Sequence, residues 1–124
     1  MKTFSAIVLV DEDPISRFIA RRVLARLRLT DHLFIAQSGD QALRVLQHLP
    51  AGQVATSLLL VQVSVVTSST MAFLRARQRF GLAPQAEVIV SAYPMPAWQL
   101  RHLEVKHLLL WPLTEEKLTY LLRE

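Results

Sequence analysis

The chain has 124 residues, 52% of them hydrophobic and 19% charged, which is expected to make one domain, 1–124, with its own core and no room for a second, effector domain. A formal charge of +4 and a pI of about 10.1 put nucleic acid and anionic surfaces among the partners to weigh. With no cysteine, disulfides, thiolate catalysis and cysteine-held metals are excluded. The four histidines, His32, His48, His102 and His107, lack the spacing of metal ligands. Met1 to Ser5 runs straight into a short strand rather than a signal segment, and no apolar stretch approaches membrane-spanning length, so a soluble, cytoplasmic protein with no membrane contact is expected.

Ala6 to Val10 reads as a short buried strand ending in Asp11-Glu12-Asp13-Pro14. Asp13 as cap and Pro14 at the first helical position open a helix, because the cap satisfies an orphan amide and proline has none to satisfy. Ile15, Phe18, Ile19, Val23, Leu24 and Leu27 keep a helical period, with Arg17, Arg21, Arg22, Arg26 and Arg28 mostly off that face. His32 to Ala36 is a second strand. Ser38-Gly39-Asp40-Gln41 is a capping box for a short helix through Leu43 and Leu46, which Leu49-Pro50-Ala51-Gly52 ends.

Ser57 to Thr67 is the one long apolar run that reads as a strand covered on both faces, hence the middle of a parallel sheet. Its single interior polar residue other than serine, Gln62, stands near the carboxyl end, where open α/β sheets bind ligands. Gln62 is either a site residue or an ordinary hydrogen-bonding group at the top of the sheet. Ser68 or Ser69 can cap a third helix carrying Phe73, Leu74, Ala76 and Phe80, which Gly81 stops. Glu87 to Ala92 is the fourth strand, Tyr93-Pro94-Met95-Pro96 a break, and Ala97 to Leu103 a fourth helix of about two turns. Lys106 to Leu110 is the fifth strand. Thr114 caps the last helix, with Glu115 and Glu116 in its first turn and Leu113 and Leu118 placed as a staple.

Strand and helix alternate five times over short connections, which predicts an α/β, doubly wound parallel sheet. No glycine-rich turn follows the first strand, so a dinucleotide or P-loop phosphate cradle is excluded. The carboxyl ends of the strands present Asp11, Glu12, Gln62, Ser91 and Trp111.

This arrangement resembles the receiver domain of two-component response regulators over essentially the whole chain. Val8-Leu9-Val10-Asp11-Glu12-Asp13-Pro14 resembles the family's opening strand and acidic pair, and Ala36-Gln37-Ser38-Gly39-Asp40-Gln41-Ala42-Leu43 the start of its second helix. Val90-Ser91-Ala92 resembles the strand that ends in a hydroxyl and a small residue. Trp111-Pro112-Leu113, with Glu116 and Leu118, keeps the spacing of its Lys-Pro segment. The resemblance implies a flavodoxin-like sheet of order 2-1-3-4-5. It also implies that an aspartate ending the third strand would take a phosphoryl group from a histidine kinase, beside a divalent ion held partly by the first-strand acids.

The sequence departs from the family at that site. Gln62 stands at the acceptor position and Trp111 at the lysine. Leu108 replaces the aromatic switch residue, and Val65-Val66 and Ser69-Thr70 replace the Met-Pro and Asp-Gly of the following loop. A neutral amide is a poor nucleophile and forms no stable acyl phosphate. The expectation is therefore a pseudo-receiver: a stand-alone signalling domain that is not phosphorylated, is not an enzyme and acts by protein–protein contact. Its site is the degenerate set Asp11, Glu12, Gln62, Ser91 and Trp111. No cofactor is expected; weak magnesium at Asp11 and Glu12 stays open, with the Gln62 amide oxygen and a backbone carbonyl near Ser64 as further ligands. The resemblance places the interaction surface at Met95, Trp98, Leu103, Trp111 and Tyr120, facing a histidine kinase, an output protein or a second copy. The Trp111 indole either plugs the pocket, the preferred reading, or points outward as an anchor.

Two alternatives come from other classes. One is an active phosphorelay protein using Asp11, Glu12 or Asp13 as acceptor. The other is nucleic-acid binding through Arg17, Arg21, Arg22, Arg26 and Arg28 of the first helix with Arg75, Arg77 and Arg79 of the third; these helices fall on opposite faces of the sheet, so solvated faces are the preferred reading.

Overall fold

The computed structural model describes residues 3–63, 69–92, 95–102, 104–105 and 107–123. Five strands, β1 (Ile7–Val10), β2 (Leu33–Ala36), β3 (Leu58–Val63), β4 (Ala86–Ser91) and β5 (His107–Leu110), form one parallel sheet of order β2-β1-β3-β4-β5. The helices are α1 (Pro14–Leu27), α2 (Gly39–His48), α3 (Ala51–Ala55), α4 (Ser69–Arg79), α5 (Ala97–His102) and α6 (Glu115–Leu121). The expected doubly wound α/β fold and its strand order are the ones observed. Among the described residues, no helix is long and apolar enough to cross a membrane.

Strand alternation divides the core in two. Ile7, Leu9, Leu58, Leu60, Val88 and Val90 pack on one face with Ala20, Val23 and Leu24 of α1 and Leu118 of α6. Val8, Val10, Leu59, Val61, Val63 and Ile89 pack on the other with Ala42 and Leu46 of α2 and Phe73 and Leu74 of α4. All six residues of β3 are buried, as a central strand between two helical layers requires. Each leucine removed from water here contributes about 1.5–3 kcal/mol.

Three of the caps read from the sequence are in place. The Asp13 carboxylate accepts the Ile15 amide at 3.2 Å, Ser38 Oγ the Gln41 amide at 3.2 Å and Thr114 Oγ1 the Lys117 amide at 3.1 Å. Gly81 stops α4 in the left-handed region at φ 66°, where a side chain would be strained, and the Leu82 amide returns to the Arg77 carbonyl at 3.1 Å.

Several sequence expectations are corrected. Ile15 and Phe18, read as core, stand 70% and 61% exposed; the inward stripe of α1 is Ser16, Ala20, Val23 and Leu24. Small residues at 16 and 20 let this helix lie close to the sheet, and the larger neighbours are turned aside. Phe80 also stands outside, one residue past α4. Pro50 to Gly52, read only as a terminator, leads into the five-residue α3, anchored by buried Val54. Met95, assigned to the interaction surface, is 7% exposed and packs in the α2/α4 core. Leu103, Ser64, Val65, Val66, Ser68, Tyr93 and Lys106 lie outside the described residues, as does the end of the long apolar run at Thr67.

Arg77 is withdrawn from the basic face assigned to the third predicted helix. Its Nη2 donates to Glu87 Oε1 at 2.8 Å, with both side chains over nine-tenths buried, joining α4 to the start of β4.

Candidate functional site

The register Val10↔Val61 carries the two chains on to Asp11 and Gln62, side by side at the carboxyl ends of β1 and β3. Alternation turns both side chains, with Leu9, Leu60 and Val90, to the α1/α6 face. There they line a cavity of about 10 Å3 with Ser16, Ile19, Ala20, Trp111 and Leu113, room for about one water molecule. Gln62 is 8% exposed and Asp11 only 1%.

Asp11 is held from the chain that follows it. Its Oδ1 accepts the Asp13 amide at 2.9 Å and its carboxyl group pairs with the Ser16 hydroxyl, while Arg17 Nη1 donates to the Asp11 carbonyl oxygen at 3.0 Å. Burial pushes this carboxyl above its ordinary value of 3.8; the bonds from Ser16 and the Asp13 amide oppose the rise, the Asp13 charge adds to it and the Arg17 charge opposes it. Ser16, Arg17 and Lys117 belong to this end of the molecule; the sequence assigned Arg17 only to a basic helix face and did not single out Ser16 or Lys117. The usable signal was an aspartate two residues before another aspartate and a proline, an Asx-turn pattern that directs the first carboxylate to its own backbone.

The raised value has a consequence for stability. Below pH 3.8 the folded and unfolded chains both carry a protonated Asp11. As pH rises through that value the unfolded chain releases its proton first, so this group's contribution to stability falls until the folded-state carboxyl has also ionised. Asp11→Asn, measured by urea unfolding in EDTA, should therefore be close to native stability in acid and gain on the native chain as pH rises toward 7. A difference that is flat with pH would contradict this account of Asp11.

Trp111 forms the wall of the cavity mouth. At 43% exposed it closes one side without being buried, so it is not the plug preferred from the sequence. Its amide donates to the Ser91 carbonyl at 2.8 Å, and Lys117 Nζ donates to the carbonyls of Leu110 and Pro112, both at 3.0 Å, strapping down the segment on either side. The Trp111-Pro112 bond is cis. Ser91 is fully buried; it follows Val90, which lines the cavity, and is itself not part of the lining. Glu12 is exposed, next to the inward-turned Asp11.

This donor set does not fit the divalent ion that the fold suggests. A magnesium ion keeps several waters in its octahedral shell but needs one or two carboxylates turned toward it. Asp11 is turned inward onto an amide and a hydroxyl, Gln62 brings a neutral amide, and the Arg17 guanidinium stands at the Asp11 backbone. Among the described residues, no group of three or more carboxylate or histidine side chains is arranged to hold a metal.

Of the expected surface aromatics, Trp98 on α5 and Tyr120 on α6 are 64% and 73% exposed, and Leu110 at the end of edge strand β5 joins the exposed apolar residues.

No family model matches the sequence, and no curated protein matches it. Solved structures do. The CheY-like response regulator receiver domain protein of Methanospirillum hungatei JF-1 superposes with a TM-score of 0.72 at 14% identity, over 98% of this chain and 92% of that one. The Vibrio cholerae chemotaxis protein CheY4, crystallised at low pH, gives 0.77 at 15%, over 98% of each chain. A two component response regulator from Cytophaga hutchinsonii gives 0.77 at 17%, over 97% of this chain and 95% of that one. At such identities the likeness is one of architecture: the chain has the flavodoxin-like fold of CheY-like response regulator receiver domains.

Proposed function

We propose that the chain is a receiver-like signalling module of the two-component type that works through protein contacts and accepts no phosphoryl group at β3. The observation that carries this reading is Gln62. It occupies the carboxyl end of the central strand, beside Asp11, in the position where the receiver family uses a nucleophilic carboxylate. An amide there offers neither the nucleophile nor the charge that would hold a divalent ion, and Trp111 at the mouth supplies an indole where a lysine would meet phosphoryl oxygens. The exposed side chains Trp98, Leu110, Trp111 and Tyr120 give α5, the end of β5 and α6 the aromatic and aliphatic character of interface cores, suited to a kinase, an output protein or a second copy. Burial of Arg77 against Glu87 weakens the nucleic-acid reading further, since α4 loses one of its three arginines.

Incubation with acetyl phosphate or phosphoramidate and magnesium should leave the intact mass unchanged. A stoichiometric adduct, stable in acid and labile in base, would overturn the reading, and its position at Asp11, Glu12 or Asp13 would establish an active phosphorelay protein instead.

A further inference from the structure

The β2 edge of the sheet is undefended. Among the described residues β2 pairs with β1 alone, in unbroken register. The Ile7 amide donates to the His32 carbonyl at 2.9 Å and the Asp11 amide to the Ala36 carbonyl at 3.0 Å. Positions 32, 34 and 36 therefore turn their backbone groups toward β1, and Leu33 and Ile35 turn both amide and carbonyl outward. One step on, the Gln37 amide is closed off by Gln41 Oε1 at 2.6 Å. Edge strands are ordinarily guarded by lysine, proline or a bulge. Leu33-Phe34-Ile35-Ala36 has none of these, with Leu33 37% exposed and Phe34 and Ile35 half-buried, and its only protection is its length of four residues. Two clefts lie beside this edge on the α1 face, both lined by Phe18. One touches Ile35 and is walled by Arg17 and Arg21; the other touches Leu33 and is walled by Arg21 and Arg22. Arg17 Nη1 is engaged at the Asp11 carbonyl, whereas among the described residues neither Arg21 nor Arg22 is in an ion pair.

We propose that the β2 edge takes an extended acidic segment of a partner protein as a sixth strand, with carboxylate side chains at alternate positions entering the two arginine-walled clefts. The inference rests on the chain acting through protein contacts, but it uses a different surface from α5, β5 and α6 and does not depend on the state of Gln62. Leu33 and Ile35 offer two amides and two carbonyls, so the added strand gains four main-chain hydrogen bonds, the usual source of affinity in strand addition. The two clefts belong to strand residues two apart, about 6–7 Å, which is the spacing of same-face side chains on an extended chain. Carboxylates at that spacing meet Arg21 and Arg22, and the residue between them falls on the opposite face beside Phe34, where an apolar side chain suits it. A second copy pairing antiparallel about Phe34 would make the same four bonds. It would also bring two sets of Arg17 and Arg21 together across the axis, so charge favours an acidic strand over a second copy of this basic chain.

The test is fluorescence anisotropy of short labelled peptides that alternate Glu with Val or Lys with Val, titrated with the full chain. The Glu-Val peptide should bind, the Lys-Val peptide should not, and added salt should weaken the complex. Hydrogen exchange at the Leu33 and Ile35 amides, open in the free chain, should slow on binding. Methylating the backbone nitrogen of every Glu, or of every Val, blocks one edge of an extended peptide at a time, so one of these two peptides should lose binding and the other keep it. A helical ligand would lose binding with both and a purely electrostatic contact with neither; either result overturns the proposal. Leu33→Pro removes an outward amide at an edge position that tolerates proline, and Arg21→Glu reverses an exposed charge; each should weaken binding at least about tenfold. Trp98→Ala should leave it unchanged, and loss of binding in that variant alone would move the site to the other surface and overturn the proposal. So would equal binding of the Glu-Val and Lys-Val peptides, no binding of the Glu-Val peptide, or a concentration-dependent dimer that protects the two amides without peptide. The phosphoryl-transfer assay above reads out separately, so failure here and failure there are distinguishable.

Discussion

Arg77→Met is expected to destabilise the chain by about 3–5 kcal/mol, because it leaves the Glu87 carboxylate buried without the charge that faces it. Domains of this kind are stable by about 5–15 kcal/mol in total, so the variant should melt more than about 10 °C lower or fail to accumulate. Strand alternation explains why so much depends on one pair. Glu87 is in register with Leu59 and, like Ile89, projects to the α4 face, where the last turn of α4 brings Arg77. Replacing both partners by apolar residues, Arg77→Met with Glu87→Leu, removes two desolvated charges together and should recover most of the loss. The exposed Arg26–Glu115 pair is the internal control: Arg26→Met should cost under about 1 kcal/mol despite a similar ion-pair chemistry. Chemical unfolding of the four proteins decides it. A single Arg77→Met loss no larger than that of Arg26→Met would mean that water reaches the pair and that burial does not control its strength.

The sequence reading succeeded where one physical signal dominated. The apolar run through Leu58–Val63, interrupted only by Gln62, read as a strand covered on both sides, and Asp13-Pro14, Ser38 and Thr114 marked helix starts by chemistry that works locally. It failed where two signals competed. On α1, Ile15 and Phe18 have the right period and the right hydrophobicity for a core, yet Ser16 and Ala20 take the inward positions, because close approach of the helix to the sheet end favours small side chains over large ones. Hydrophobicity alone does not reveal this; the spacing of the small residues, 16 and 20, does. Arg77 illustrates the opposite case. An arginine among others on a helix looks solvated unless a buried acid is placed to meet it, and Glu87 was read only as the first residue of the fourth strand. At the cavity, Asp11, Gln62 and Trp111 came together as the strand ends required, whereas Ser91 falls outside the lining and Met95 went to the core. Met95 lay in a proline-flanked segment, Pro94-Met95-Pro96, where no periodicity exists to assign a face.

Gln62→Asp should turn the quiet cavity into a strained one. The new carboxylate would stand beside Asp11, itself 1% exposed, in a space of about 10 Å3 that holds no more than about one water. Burial and mutual repulsion act in the same direction, so the two groups would titrate as a pair with both protons held above the ordinary aspartate range of about 3.9. The folded variant then keeps protons that the unfolded chain has released. Its stability, compared with the native chain in EDTA, should be nearly equal in acid, where both states are protonated, and should fall as pH rises through the ordinary carboxylate range, reaching a deficit of about 3 kcal/mol near pH 7. Divalent ions should reverse part of this deficit. Two carboxylates attract a magnesium ion far more strongly than one carboxylate and a neutral amide, so millimolar magnesium should raise the midpoint of the variant much more than that of the native chain. Arg17 sets a limit on the rescue, since its guanidinium already stands at the Asp11 carbonyl and competes with any cation brought there. Combining Gln62→Asp with Arg17→Met should therefore deepen the deficit in EDTA and enlarge the gain from magnesium. A Gln62→Asp protein as stable as the native chain at neutral pH without metal would show instead that the cavity is open to solvent and that a second carboxylate there meets no burial penalty.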